Sequence, residues 1–305
     1  MRLEYATVQP LCRLEANGEH WFFFTAIEGI APELALAGDK PRKVKVGTRV
    51  ALSHKAPGGD KVNFVVLTPE QGRQVWKLPL VGRERVVLSP NTLLPETRDH
   101  LTLELLAPAS PALAVFPPVA EACLTGRALK TKRDGIFQRF NLTGPATVAT
   151  VVEVAPVRSG AGTANALSAM DESAWTNAAV WRVRVPQSIA ASESLLRFQY
   201  VGDVARLYAR GRLVLDNFYN GQPFDVPLWR LTPAERSSLE IHILPLRPGQ
   251  PGRLPDAAAV DFKEGTAPVQ IKAVDALERR RIPLVFMDEM GTSTKGPMRL
   301  KRPTI

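Results

Sequence analysis

The chain carries one short run whose side chains all suit the recognition of a sugar: Asp216-Asn217-Phe218-Tyr219-Asn220, closed by Gly221. Aromatic rings can stack on the apolar face of a pyranose while carboxylate and amide groups hydrogen-bond its hydroxyls. These five residues are the candidate carbohydrate-binding set. The same sequence also suits a structural loop, with Phe218 and Tyr219 anchored in the core and Asp216 and Asn220 bonding their own backbone. Trp175, Trp181 and Trp229 stand open to the same two readings.

Other chemistry is sparse. His20, His54, His100 and His242 lie far apart and share no carboxylate at metal-ligand spacing, so neither a metal nor a cofactor is expected. Cys12 and Cys123 stand alone, outside any zinc spacing, and read as small apolar residues. No nucleophile elbow, Walker loop or dinucleotide fingerprint is present, and Gly58-Gly59-Asp60-Lys61 reads as a turn. Glycoside hydrolysis needs two carboxyl groups about 5 to 9.5 Å apart across a sugar. Glu28, Glu33 and Asp203 adjoin aromatic or glycine-rich segments but form no evident pair, and no catalytic residue is assigned.

The formal charge of +9 raises nucleic acid as a partner. Its distribution argues otherwise. Basic residues come in scattered pairs, with a denser set at Arg279-Arg280-Arg281, Lys295, Arg299, Lys301 and Arg302, and stacking aromatics are not interleaved with them. No apolar run is long enough to span a bilayer, and the residues after Met1 lack the apolar core of a signal peptide, so the chain as written is expected in the cytoplasm. Asn141-Leu142-Thr143 matches a glycosylation acceptor but stands without a secretory signal.

The elements that would position such residues are short strands. Alternation marks Thr7 to Leu14, His20 to Ile27, Val44 to Leu52, Val62 to Leu67, Arg85 to Leu88 and His100 to Leu106, with turns at Asn17-Gly18, Gly38-Asp39 and Pro57-Gly58-Gly59. Further on come Thr147 to Val154, Trp181 to Val185, Leu196 to Tyr200, Val204 to Ala209, Leu213 to Leu215 and Leu239 to Leu244. Arg210-Gly211 supplies a hairpin turn. Thr68-Pro69-Glu70-Gln71 and Thr232-Pro233-Ala234-Glu235 are capping boxes, the first predicting a short helix through Trp76. Small and polar residues from Arg158 to Asn165, and the proline- and glycine-rich Pro245 to Pro255, read as loops.

Frequent turns without strand–helix–strand periodicity predict an all-β protein of two sandwich-like domains, the second a jelly roll, with one or two short helices. The expected division is a β-domain over residues 1–108, a proline-rich linker over 109–118, a jelly roll over 119–286 and a mobile basic tail over 287–305.

Residues 200 to 221, YVGDVARLYARGRLVLDNFYNG, resemble the C-terminal jelly-roll region of bacterial β-galactosidases of glycoside hydrolase family 35. Residues 8 to 34, VQPLCRLEANGEHWFFFTAIEGIAPEL, are similar to the β-domain that follows the catalytic barrel in the same proteins. The resemblance covers residues 1 to about 250 and implies a galactose-binding-like fold, with a catalytic barrel domain or subunit and a galactoside or glycan as partners. That family places its active site on a preceding (β/α)₈ barrel with a Glu-Asn-Glu-Tyr-Gly type motif, and this sequence contains neither. The chain is therefore expected to be a fragment or an accessory subunit, inactive alone: a non-catalytic region that buttresses the barrel or subunit assembly, or else an independent carbohydrate-binding module.

Overall fold

A computed structural model describes residues 2–55, 59–143, 147–160, 172–190, 193–246 and 269–288. The protein is all-β, and its chain forms two units. The first comprises residues 1–105, 109–145 and 281–305, the second residues 106–108 and 146–280.

Strands buried on both faces read as continuous apolar runs, whereas half-buried strands alternate. The first unit uses both kinds. Its strands are β1 (Leu3–Ala6), β2 (Gln9–Ala16), β3 (Glu19–Thr25), β4 (Glu33–Leu36), β5 (Arg42–Lys43), β6 (Val50–Lys55), β7 (Lys61–Leu67), β8 (Val75–Leu80), β9 (Arg83–Leu88), β10 (Thr92–Pro95), β11 (His100–Leu106), β12 (Leu113–Phe116), β13 (Glu121–Leu124), β14 (Arg127–Ala128), β15 (Thr131–Asp134) and β16 (Phe137–Phe140). They form sheets of order β1-β4-β5, β2-β3-β7-β6 and β15-β16-β12-β9-β8, and a further sheet containing β10, β11, β13 and β14. Phe24, Phe64 and Val66 pack with Leu34 and Leu36, while Trp21, Phe23 and Val65 pack with Val86, Phe116 and Phe137. The middle sheets are thus apolar on both sides, which is why Phe22-Phe23-Phe24 and Leu113 to Phe116 show no alternation. Asn17 and Gly18, at φ 54° and 72°, make the tight β2–β3 turn.

The second unit contains β17 (Ala149–Val151), β18 (Glu153–Arg158), β19 (Ala179–Arg184), β20 (Ser194–Val201), β21 (Val204–Ala209), β22 (Arg212–Phe218), β23 (Phe224–Pro227), β24 (Leu239–Ile243) and most of β25 (Gln270–Met287). One antiparallel sheet has the order β18-β19-β24-β21-β22; in the other, β25 pairs with β17 and β20, and β20 with β23. Between them lies a core of Leu196, Phe198, Leu207, Val226, Ile241, Ile243 and Val274. The chain crosses from one sheet to the other at each connection from β17 to β25 except the β18–β19 and β21–β22 hairpins, and the facing orders β17-β25-β20-β23 and β19-β24-β21-β22 are those of a jelly roll. The chain re-enters the first unit within β25, whose end pairs with β13.

Three four-residue helices are described, α1 (Pro69–Gly72), α2 (Gln187–Ala190) and α3 (Pro233–Arg236); the first and third begin with the expected capping boxes. The helix after Thr68 does not reach Trp76. It ends at Gly72, where any side chain would collide with Thr25, and Trp76 belongs to β8.

Four further expectations change. The strand expected over Val44 to Leu52 starts only at Val50, because Gly47 (φ 133°) turns the chain to bond Val66. The segment 109–118 is no linker: β12 lies inside it, paired with β9 and β16, so residues 109–145 join the first unit and the 1–108 and 119–286 division does not hold. Prolines at both ends of a fully buried strand had imitated a boundary. No strand was expected after Leu239 to Leu244, yet Gln270–Met287 form the 18-residue β25. Its Met287 is paired with Glu121, so the tail does not begin there. The parts of the expected loops and tail at 161–165, 247–255 and 289–305 lie outside the described residues.

Candidate functional site

The candidate run begins in a strand. Arg210 and Gly211, at φ 51° and 76°, turn β21 back into β22, and β22 continues past Leu215 through Asp216, Asn217 and Phe218. Half of the expected loop is therefore strand, and strand alternation separates its side chains.

Asn217 and Tyr219 point inward. The Tyr200 hydroxyl donates to the Asn217 backbone carbonyl at 3.1 Å and to its Oδ1 at 2.8 Å. Burial first, then the neighbouring Tyr219 and Asp203, raise the Tyr200 pKa well above its ordinary value, so the hydroxyl remains a donor. Tyr219 is buried and meets Tyr200 edge-on, ring centroids 5.4 Å apart. Asn220 accepts the Gln222 backbone N–H at 3.0 Å, a local turn bond. For these three residues the structural role holds.

Asp216 and Phe218 point outward. Phe218 is 62% exposed, and among the described residues the Asp216 carboxylate has no ion-pair partner. Register places Asp216 opposite Arg206, and Arg206 opposite His242 on β24. Arg206 donates to Glu172 at 2.8 Å and lies 4.1 Å from the centre of the Trp175 ring. Tyr208 and His242 rings pack at 4.5 Å. Burial lowers the His242 pKa, assisted by Arg158 and opposed by Glu240, so its imidazole is neutral at pH 7.

Sequence reasoning had not singled out Arg206, Tyr208 or His242 as a set. The signal was available in alternation, since 204, 206 and 208 share a face with 240 and 242, but only pairing brings the strands together. Of the other tryptophans, Trp175 covers Ala178, Val204 and Leu244, Trp181 packs against the core, and Trp229 carries the Arg279 guanidinium 3.6 Å above its ring. Beside the turn after β22 lies a shallow concavity of about 110 Å³ lined by Gln199, Tyr219, Gln222, Pro223 and Lys272.

The remaining candidates do not assemble into a centre. Glu28 and Glu33 belong to the first unit and Asp203 to the second. Among the described residues no three His, Cys, Asp or Glu side chains gather as metal ligands. Cys12 and Cys123 are free thiols, half-buried rather than fully so, with burial raising both pKa values. Within the dense basic set, Arg279 pairs with Glu193, Arg280 with Glu278 and Arg281 with Glu104, which leaves these three charges neutralised rather than arrayed for phosphates. No described helix is long and apolar enough to cross a membrane.

No family model matches the chain, and no curated protein matches it. Among solved structures, a family-31 α-xylosidase from Xanthomonas citri aligns with 92% of this chain and 32% of its own, at 13% identity and a TM-score of 0.17. The chain thus spans about a third of that enzyme's length.

Proposed function

We propose that the chain is a non-catalytic, all-β ancillary region of a β-galactosidase-like glycoside hydrolase, supporting the catalytic barrel or subunit assembly. The sequence resemblance of residues 8–34 and 200–221 to regions that follow the family-35 barrel supports this reading. The observation that carries it is the use made of the second segment. Tyr200, Val201, Val204, Ala205, Leu207, Ala209 and Tyr219 are all buried, and a side chain at Gly202 would collide with Ile243. The residues that carry the resemblance therefore specify a rigid scaffold.

Purified chain is expected to show no turnover of nitrophenyl β-galactosides. A family-35 barrel supplied as a separate chain is expected to gain thermal stability in its presence. Hydrolysis that persists through repurification, or a barrel whose melting is unmoved, would sink the reading.

A second reading, an independent carbohydrate-binding module, is favoured by the outward Phe218 ring beside the Asp216 carboxylate, which has no ion-pair partner among the described residues. Calorimetric titration with galactose and galactans tests it. Saturable binding weakened by Phe218→Ala is expected, and its absence would leave the two side chains as ordinary surface.

A further inference from the structure

The outward face of the sheet β18-β19-β24-β21-β22 forms a strip rather than a point. Register sets Val204 opposite Phe218, then Arg206 opposite Asp216, then Tyr208 opposite Leu213. Facing residues in such rows lie about 5 Å apart. Trp175 covers Val204 and Leu244, so on this side only the Phe218 end of the first row is open. At the other end Leu213 is 41% exposed. The packed rings of Tyr208 and His242, with the Glu172-bound Arg206, give the strip a firm floor.

From these relations we infer that the strip binds a neutral oligosaccharide, laid along β21 and β22, with one sugar ring on Phe218, hydroxyls on Asp216 and Arg206, and a further ring over Leu213 and Tyr208. The inference rests on the glycan-binding reading above and adds the ligand class. Four residue steps along β21 separate the end rows, roughly 13 Å at about 3.3 Å per residue, which exceeds a single pyranose. Arg206 is already matched by Glu172 and Arg182 by Glu240, whereas Asp216 is unmatched among the described residues. An acidic sugar would therefore meet an uncompensated carboxylate.

The test is calorimetric titration of the full chain with β-linked galacto-, gluco- and manno-oligosaccharides, from monosaccharide to tetrasaccharide, alongside oligogalacturonate. In at least one neutral series affinity is expected to rise roughly tenfold or more with length, and the acidic series to bind roughly tenfold more weakly. Leu213→Ala and Tyr208→Ala are each expected to return the tetrasaccharide to monosaccharide affinity. Leu213→Ala, at an exposed position, is expected to keep the parent melting temperature and so separates binding from folding. Affinity that is flat with length, a tetrasaccharide indifferent to Leu213→Ala, or acidic sugars bound as well as neutral ones overturns the inference while leaving glycan binding intact. Failure of every sugar to bind overturns both.

Discussion

Arg85 and Asp288 are 203 positions apart in sequence, and the Arg85 Nη2 lies 3.2 Å from both carboxylate oxygens of Asp288. The Arg85 side chain is fully buried, and its remaining donors reach the carbonyls of Leu80, Val81 and Pro117. Burial and the nearby Arg83 lower its pKa while Asp288 opposes the shift, yet a guanidinium stays charged. The pair therefore holds the end of β25 against β9. Asp288→Ala leaves a buried cation without its counter-ion and is expected to destabilise the first unit by about 2 kcal/mol, below the usual range for a buried pair because Asp288 is partly solvated. Urea denaturation measures this. A double variant, Arg85→Met with Asp288→Leu, is expected to recover part of the loss.

Phe218 and Tyr219 are neighbours in sequence with opposite environments. Tyr219→Ala empties a buried aromatic site and is expected to cost about 3 kcal/mol or more. Phe218→Ala is expected to change stability by no more than about 0.5 kcal/mol. Thermal melts of the two variants check the assignment of inward and outward faces.

At Gly202 an added methyl would meet the Ile243 side chain and approach the Leu244 carbonyl oxygen to 3.0 Å. Gly202→Ala is expected to destabilise the second unit by about 1–3 kcal/mol through overpacking. Ile243→Val in the same chain is expected to return part of that loss, a coupling read from a double-mutant cycle.

The two capping boxes differ in one respect that pH can read. In α3 the Glu235 carboxylate accepts the Thr232 backbone N–H and also binds Arg212 and the Thr232 hydroxyl, which lowers its pKa to about 2. The folded pKa lies below the unfolded one near 4.5, so the cap's contribution is complete above that value and is lost as pH falls towards 2. In α1 the same position is the neutral Gln71. Thr232→Ala and Thr68→Ala are each expected to cost about 1 kcal/mol at pH 7. Only the Thr232→Ala deficit is expected to shrink in melts carried from pH 5 towards pH 2.

His242 faces Glu240, Arg206, Tyr208 and Arg158, and burial dominates in holding its pKa below 6.5. The unfolded chain takes up this proton first, so the stabilisation is present above pH 6.5 and is lost as pH falls through the folded value. An NMR titration of the imidazole is expected to show a midpoint below 6.5. A midpoint above it would mean that Glu240 outweighs burial.

Local rules made much of this protein legible. Capping boxes at Thr68 and Thr232 and the φ-positive pairs Asn17-Gly18 and Arg210-Gly211 are each decided within four residues, so the sequence alone determined them and, with its frequent turns, the all-β class. What lies between strands was decided only by the tertiary structure. Leu113 to Phe116 looked like linker because a strand buried on both faces does not alternate. The strand β25 was missed because the charged run Glu278 to Arg281 interrupts an alternation that sets Val274 and Ala276 on the same buried face as Ile282, Leu284 and Phe286, and only pairing with β17, β20 and β13 shows it to be one strand. The candidate run shows the same division: its five residue types gave the chemistry, but which of them face solvent depends on where the second sheet packs. Packing against Tyr200 drew Asn217 and Tyr219 inward and left Asp216 and Phe218 outside, because side chains on a strand alternate while the core lies on one side.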